Sequence, residues 1–212
     1  MRDLPTVRDF GDFYNAGKAA SELHSYREKG PIPSTRMLID ALRGEGVEGA
    51  TVIDIGGGVG AIQHELLAAG AAHVTSIDAS SAYIHAARNE SERQGLVGRV
   101  TYYHGDFVEL AETVASAEIM TLDRVINVSP DWQRLIQLSA ARARRLYGLV
   151  YPRDTVPVRM VASVMNLLVW RGPVHAAIRP QDEIDRLARE AGLVRYFWNT
   201  AGPWQVAVYR RH

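Results

Sequence analysis

The chain of 212 residues contains no cysteine. Disulfide staples, thiolate zinc sites and cysteine nucleophiles are therefore excluded. It has no charge excess either, since 24 Lys and Arg balance 24 Asp and Glu. A chain without net charge is a poor generic polyanion binder, so no nucleic-acid partner is expected. No apolar run is long enough to span a bilayer. Met1 to Phe10 carry charges and a proline where a secretory signal would carry an apolar stretch. No paired histidine–carboxylate spacing indicates a metal site. What remains is a chain long enough for a real core, read as one domain or one domain with an appendage, and expected in the cytoplasm.

The stretch from Thr51 to Gly60 organises the rest. Thr51 to Ile55 is β-branched at four of five positions, as a crowded strand requires. Asp54 is its one acid. Gly56, Gly57, Gly58 and Gly60 follow, and a helix with Ile62, Leu66 and Leu67 on one stripe stops at Gly70. Strand, glycine turn and helix form the nucleotide-binding corner of a doubly wound sheet. Further strands are expected at His73–Asp78, Val100–His104, Glu118–Asp123 and Leu146–Tyr151. Helices are expected between them, at Ser80–Gln94 and Trp132–Arg145. Arg142, Arg144 and Arg145 then read as partners of a helix dipole. An apolar helix opens at Pro157; core helix, substrate-pocket wall and interfacial helix are its three readings, core helix the simplest. After a helix over Asp182–Ala191, Val194–Trp198 and Trp204–Tyr209 form a terminal strand pair around Gly202-Pro203.

Two ligands compete for the glycine corner. Gly56-x-Gly58-x-x-Ala61 satisfies a dinucleotide fingerprint, which keeps an NAD-dependent oxidoreductase open. Asp54-x-Gly56-x-Gly58-x-Gly60, with its acid two places before the first glycine, resembles motif I of the class I S-adenosylmethionine-dependent methyltransferases. The C-terminal hairpin after five βα units points the same way. Residues 50 to 210 carry the likeness. Asp54 to Leu66 and Arg145 to Asp154 look nearest to small-molecule enzymes of the magnesium-protoporphyrin O-methyltransferase type. That family places a histidine in the loop after the fourth strand, where Asn127 stands here.

The resemblance implies a mostly parallel, Rossmann-like, seven-stranded α/β sheet over residues 50–212, closed by an antiparallel hairpin. Residues 1–49 form an N-terminal helical lid in this reading. It implies S-adenosylmethionine as cofactor and S-adenosylhomocysteine as product. Asp54, Gly56, Gly57 and Gly58 would meet the cofactor at the first turn. Asp78, with Ala79 and Ser80, would take the ribose diol, because a carboxylate accepts two hydrogen bonds at once. Asp106 would accept the adenine amino group, with Phe107 beside the ring. Asp123, Arg124 and Val125 follow at the end of the fourth strand. Tyr14, Tyr26 and Arg27 are the lid residues expected to contact the cofactor.

Methyl transfer makes no single catalytic residue obligatory. His175, Asp131 and Asn127 are the candidates for handling a proton, with His104 behind them. The expected substrate is a small molecule. Arg124, Arg153, Arg159, Arg171 and Arg179 are available if it is anionic. A monomer or homodimer is expected. A non-catalytic adenosyl-binding subunit of the same fold is the alternative from another class.

Overall fold

The computed structural model describes residues 12–168 and 177–212. Helix α1 spans Ala16–Lys29, capped by Asn15, whose side chain accepts from the backbone of Gly17 and Lys18. Helix α2 spans Pro33–Gly44. Then come β1 (Thr51–Ile55), α3 (Ala61–Ala68), β2 (His73–Asp78), α4 (Ser81–Arg93), β3 (Val100–His104) and the single turn α5 (Phe107–Leu110). The second half holds β4 (Ala117–Asp123), α6 (Trp132–Arg142), β5 (Ala143–Pro152), α7 (Val156–Leu168), α8 (Gln181–Glu190), β6 (Leu193–Ala201) and β7 (Trp204–Arg211).

The seven strands run in the order β3-β2-β1-β4-β5-β7-β6. β1 is parallel to both β2 and β4, and among the described strands only β7 is reversed, antiparallel to its neighbours β5 and β6. The strand order reverses between β1 and β4, where doubly wound sheets open their ligand crevice. One core, with Ile55, Leu122, Ile136 and Ile184, packs beneath α5, α6 and α8. The other, with Leu38, Ile39, Val52 and Leu66, packs beneath α2 and α3. In β5, Gly148 lacks a side chain where a Cβ would run into Leu38, so α2 lies close on the strand.

Two expectations are corrected. Arg144 and Arg145 do not end α6 but begin β5, because the β4 ladder already starts at Ala143. Arg145 instead donates to the carbonyls of Glu45 and Gly46. The apolar helix α7 is no core helix over its described part: Val156, Met160, Val161 and Val164 are exposed. Its apolar run has core composition, but composition signals a need for burial and not a surface to bury against. Of the N-terminal segment, α2 is built into the sheet layer, and α1 alone rests on α4.

Candidate active site

A cleft of about 290 Å³ opens at the carboxyl ends of β1, β2 and β4. Its floor is built from Ile55, Gly56, Gly58 and Ile77. Asp78, Ala79, Gly105, Asp106 and Phe107 form one end, and Asp123 to Pro130 the other, while Tyr14 and Glu22 of the N-terminal segment cover it.

The glycines divide by task. A side chain at Gly56 would overlap Val125, and one at Gly57 would overlap Ser76. Gly58, at φ 57°, meets nothing closer than 3.7 Å, so its missing side chain leaves room inside the cleft. Asp78 is held from both sides: its carboxylate accepts from Gly58 N at 2.9 Å and from Ser80 N at 2.8 Å. Burial raises its pKa, and those two amides lower it in part. Ser80 caps α4 and also donates to the carbonyl of Tyr14 at 2.6 Å, so it is spent on structure and on docking the lid.

Asp54 lies wholly beneath the loop. One oxygen accepts from Thr121 at 2.7 Å, while Oδ2 is buried without a partner. Burial pushes its pKa up to about 7 against the ordinary 3.8, with Thr121 opposing. Asp106 caps α5 by accepting from Val108 N at 2.8 Å.

At the end of β4, Arg124 is the one non-glycine residue with positive φ among the described residues, at 62°. Such a backbone costs on the order of 1–3 kcal/mol and recurs where function demands it. The conformation places its guanidinium between Asp123, at 3.0 Å, and the ring of Trp204, at 5.8 Å. Asp123 also accepts from Thr35 of α2. The next turn, Ile126 to Ser129, is tied down by a distant segment. Arg179 donates to the carbonyls of Ile126 and Ser129, and Ala177 N donates to that of Asn127.

The structure therefore brings together Tyr14, Gly56, Gly58, Asp78, Ala79, Asp106, Phe107, Asp123, Arg124, Val125 and Asn127. It does not bring Tyr26 and Arg27 to the cleft. Tyr26 stacks on His64, and Arg27 pairs with Glu90 at 2.7 Å, toward the C-terminal end of α1. Asp131 is exposed at the start of α6, and His104 is exposed beside the carbonyl of Ala79. His175 and Arg171 lie outside the described residues. Of the other arginines, Arg159 pairs with Asp154, Arg153 meets the Gly202 carbonyl and Arg179 holds the loop. Among the described residues, Arg124 is the one of these arginines that lines the cleft. Sequence reasoning missed Glu22, Thr35 and Trp204. Nothing in their local patterns marks them, because each arrives from an element remote in the chain.

Fold and site together define a class I, S-adenosylmethionine-dependent methyltransferase architecture. The methyltransferase-domain family model matches residues 47–192, more than half of the chain, and the chain belongs to that family. The magnesium protoporphyrin IX methyltransferase of Synechocystis PCC 6803, solved with bound cofactor, superposes with a TM-score of 0.72. The two share 16% identity, and each chain is covered in full. An O-methyltransferase family protein from Burkholderia thailandensis gives a TM-score of 0.71 at 17% identity, over 95% of this chain and 63% of that one. The ribosomal protein L11 methyltransferase of Photorhabdus laumondii is 36% identical over 74 residues, or 35% of this chain. The chain spans only about a quarter of the length of such curated relatives.

Proposed function

We propose that the chain transfers the methyl group of S-adenosylmethionine to a small molecule held at the Asn127–Pro130 end of the cleft. The observation that carries this reading is the single cavity that joins the nucleotide-type acids, Asp78 and Asp106, to the loop after β4.

The residues present fit the cofactor. The orphaned Oδ2 of Asp54 lies buried behind the glycine turn, where an ammonium could supply the missing donor. Gly58 leaves the space a bulky sulfonium ligand needs. Asp78 is pre-oriented by two amides and keeps acceptor capacity for hydroxyl groups. When bound, the cofactor supplies an activated methyl on a positive sulfur. The chain's part is orientation and exclusion of water. Tyr14 and α1 roof the cleft, and the loop pinned by Arg179 fixes where an acceptor rests. Asn127 and Ser129 are the polar side chains of that loop available to orient it, and Arg124 suits an anionic group.

A cavity this size admits a small acceptor more readily than a folded macromolecule. Incubation with radiolabelled S-adenosylmethionine and a fractionated cell extract tests this. Label should pass into the low-molecular-weight fraction. Label confined to protein or RNA would overturn the small-molecule reading. Binding of S-adenosylmethionine with no label in either fraction and no adenosylhomocysteine formed would favour the non-catalytic alternative.

A further inference from the structure

We propose that Glu22, carried by α1, is a second ribose acceptor, so that the adenosyl ligand's diol is gripped by one carboxylate from the sheet and one from the lid. This rests on the cofactor assignment above. Glu22 and Asp78 line the same cleft, with Tyr83 beside them. Tyr83 donates its hydroxyl to Glu22 Oε1 at 2.8 Å, which fixes the acid at the rim of the cleft. Its other oxygen makes no hydrogen bond among the described residues.

The count of acceptors supports a shared grip. Both oxygens of Asp78 already take one backbone N–H each, from Gly58 and from Ser80. Each retains room for one more donor, and a full diol competes with those amides for geometry. Glu22 brings an oxygen that no amide has claimed.

The placement also needs a reason. The helix buries Ala19 and Leu23, and a glutamate beside that stripe would find water by turning outward. Glu22 is solvent-accessible, yet Tyr83 holds it at the edge of the cleft that Asp78 also lines. Two carboxylates facing one cleft repel: burial raises the pKa of Asp78, and the charge of Glu22 adds to it. Neutral donors relieve that repulsion, whereas a phosphate would worsen it. A ribose diol is a pair of neutral donors. Its binding would also draw α1 down, because the helix is docked at its start by Ser80 on the Tyr14 carbonyl and at its end by Arg27 on Glu90.

Calorimetric titration of the full chain with adenosine, 2′,3′-dideoxyadenosine and S-adenosylhomocysteine tests this. The unaltered chain should bind adenosine at least about tenfold more tightly than the dideoxy form. Glu22→Ala should weaken adenosine and S-adenosylhomocysteine by about fivefold or more and leave dideoxyadenosine unchanged. Glu22→Gln, which keeps an acceptor and loses the charge, should fall between them. Equal losses for both nucleosides would mean that Glu22 only places α1, and no loss for either would mean that it faces solvent. Each of those results overturns the proposal. Failure of S-adenosylhomocysteine to bind the unaltered chain would be seen before any variant is made, and would bring down the cofactor assignment itself.

Discussion

Asp54 lies in the middle of the sheet with one oxygen bonded to Thr121 and the other bonded to nothing. Its folded pKa of about 7 stands above the ordinary 3.8, so the native state holds the proton more tightly than the unfolded chain does. That contribution is whole below about pH 3.8 and is lost as the pH rises through 7. His64 works in the opposite direction. Burial lowers its pKa from 6.5 to about 4, so its contribution is whole above pH 6.5 and is lost as the pH falls toward 4. The two slopes oppose each other over one window. Asp54→Asn should therefore make the melting temperature of the ligand-free chain rise more steeply between pH 5 and 6.5, and raise it at pH 8. The same substitution should weaken S-adenosylhomocysteine by about tenfold, because a charged acceptor is gone. Thermal melts beside calorimetry check both, and an unchanged pH slope would contradict the account. The placement of Asp78 and Asp106 in the cleft lining was legible because strand, acid and glycine adjoin in sequence. Glu22, Thr35 and Trp204 were not, since their roles exist only after α1, α2 and β7 have packed.

The elements around the cleft are fastened by few, identifiable contacts. Glu90 is buried on α4 and accepts from Arg93, Gln94 and the lid's Arg27. Arg93 above all, with Gln94 and Arg27, holds its pKa down to about 2, so this fastening is complete above the ordinary 4.5 and is lost only as the pH falls toward 2. Glu90→Gln should free α1 from α4 at neutral pH. The expected signs are faster tryptic cleavage around Arg27 and Lys29 and weaker S-adenosylhomocysteine binding, with protection partly restored by saturating ligand. Gly148→Ala should push Leu38 outward and destabilise the chain by about 1–3 kcal/mol, read from urea midpoints. Leu38→Ala in the same chain should recover part of that loss relative to the sum of the single changes. Strands β1, β2 and β3 were readable to the residue, because β-branched runs there end on glycine or an acid. The boundary of α6 with β5 was not. Ala143, Arg144 and Arg145 suit either element, and pairing with Ala117 decides it. The exposed stripe of α7 was misread for a related reason: an apolar helix announces burial, but not whether anything is left for it to bury against.

As a whole molecule, the chain splits into a sheet with two cores and a light cover. The third apolar cluster, under α1, contains only Ala19, Leu23, Val59 and Tyr83 as buried members. Deleting residues 1–29 should leave the sheet folded by circular dichroism. It should cost S-adenosylhomocysteine affinity through Tyr14 and Glu22. An affinity equal to that of the full chain would mean that residues 1–29 take no part in holding the ligand.

The reversal of strand order has a mechanical meaning. At the cleft, Gly58 and Asp78 belong to the β3-β2-β1 side of the sheet, whereas Arg124 and Trp204 belong to the β4-β5-β7-β6 side. The sides are joined at this edge by the β1–β4 ladder, by Thr121 donating to Asp54 and by the close approach of Val125 to Gly56. A molecule that spans the cleft becomes a strut across the seam. In hydrogen exchange it should slow the amides of β1 and β4 far more than those of the β6–β7 hairpin, which lies outside the span.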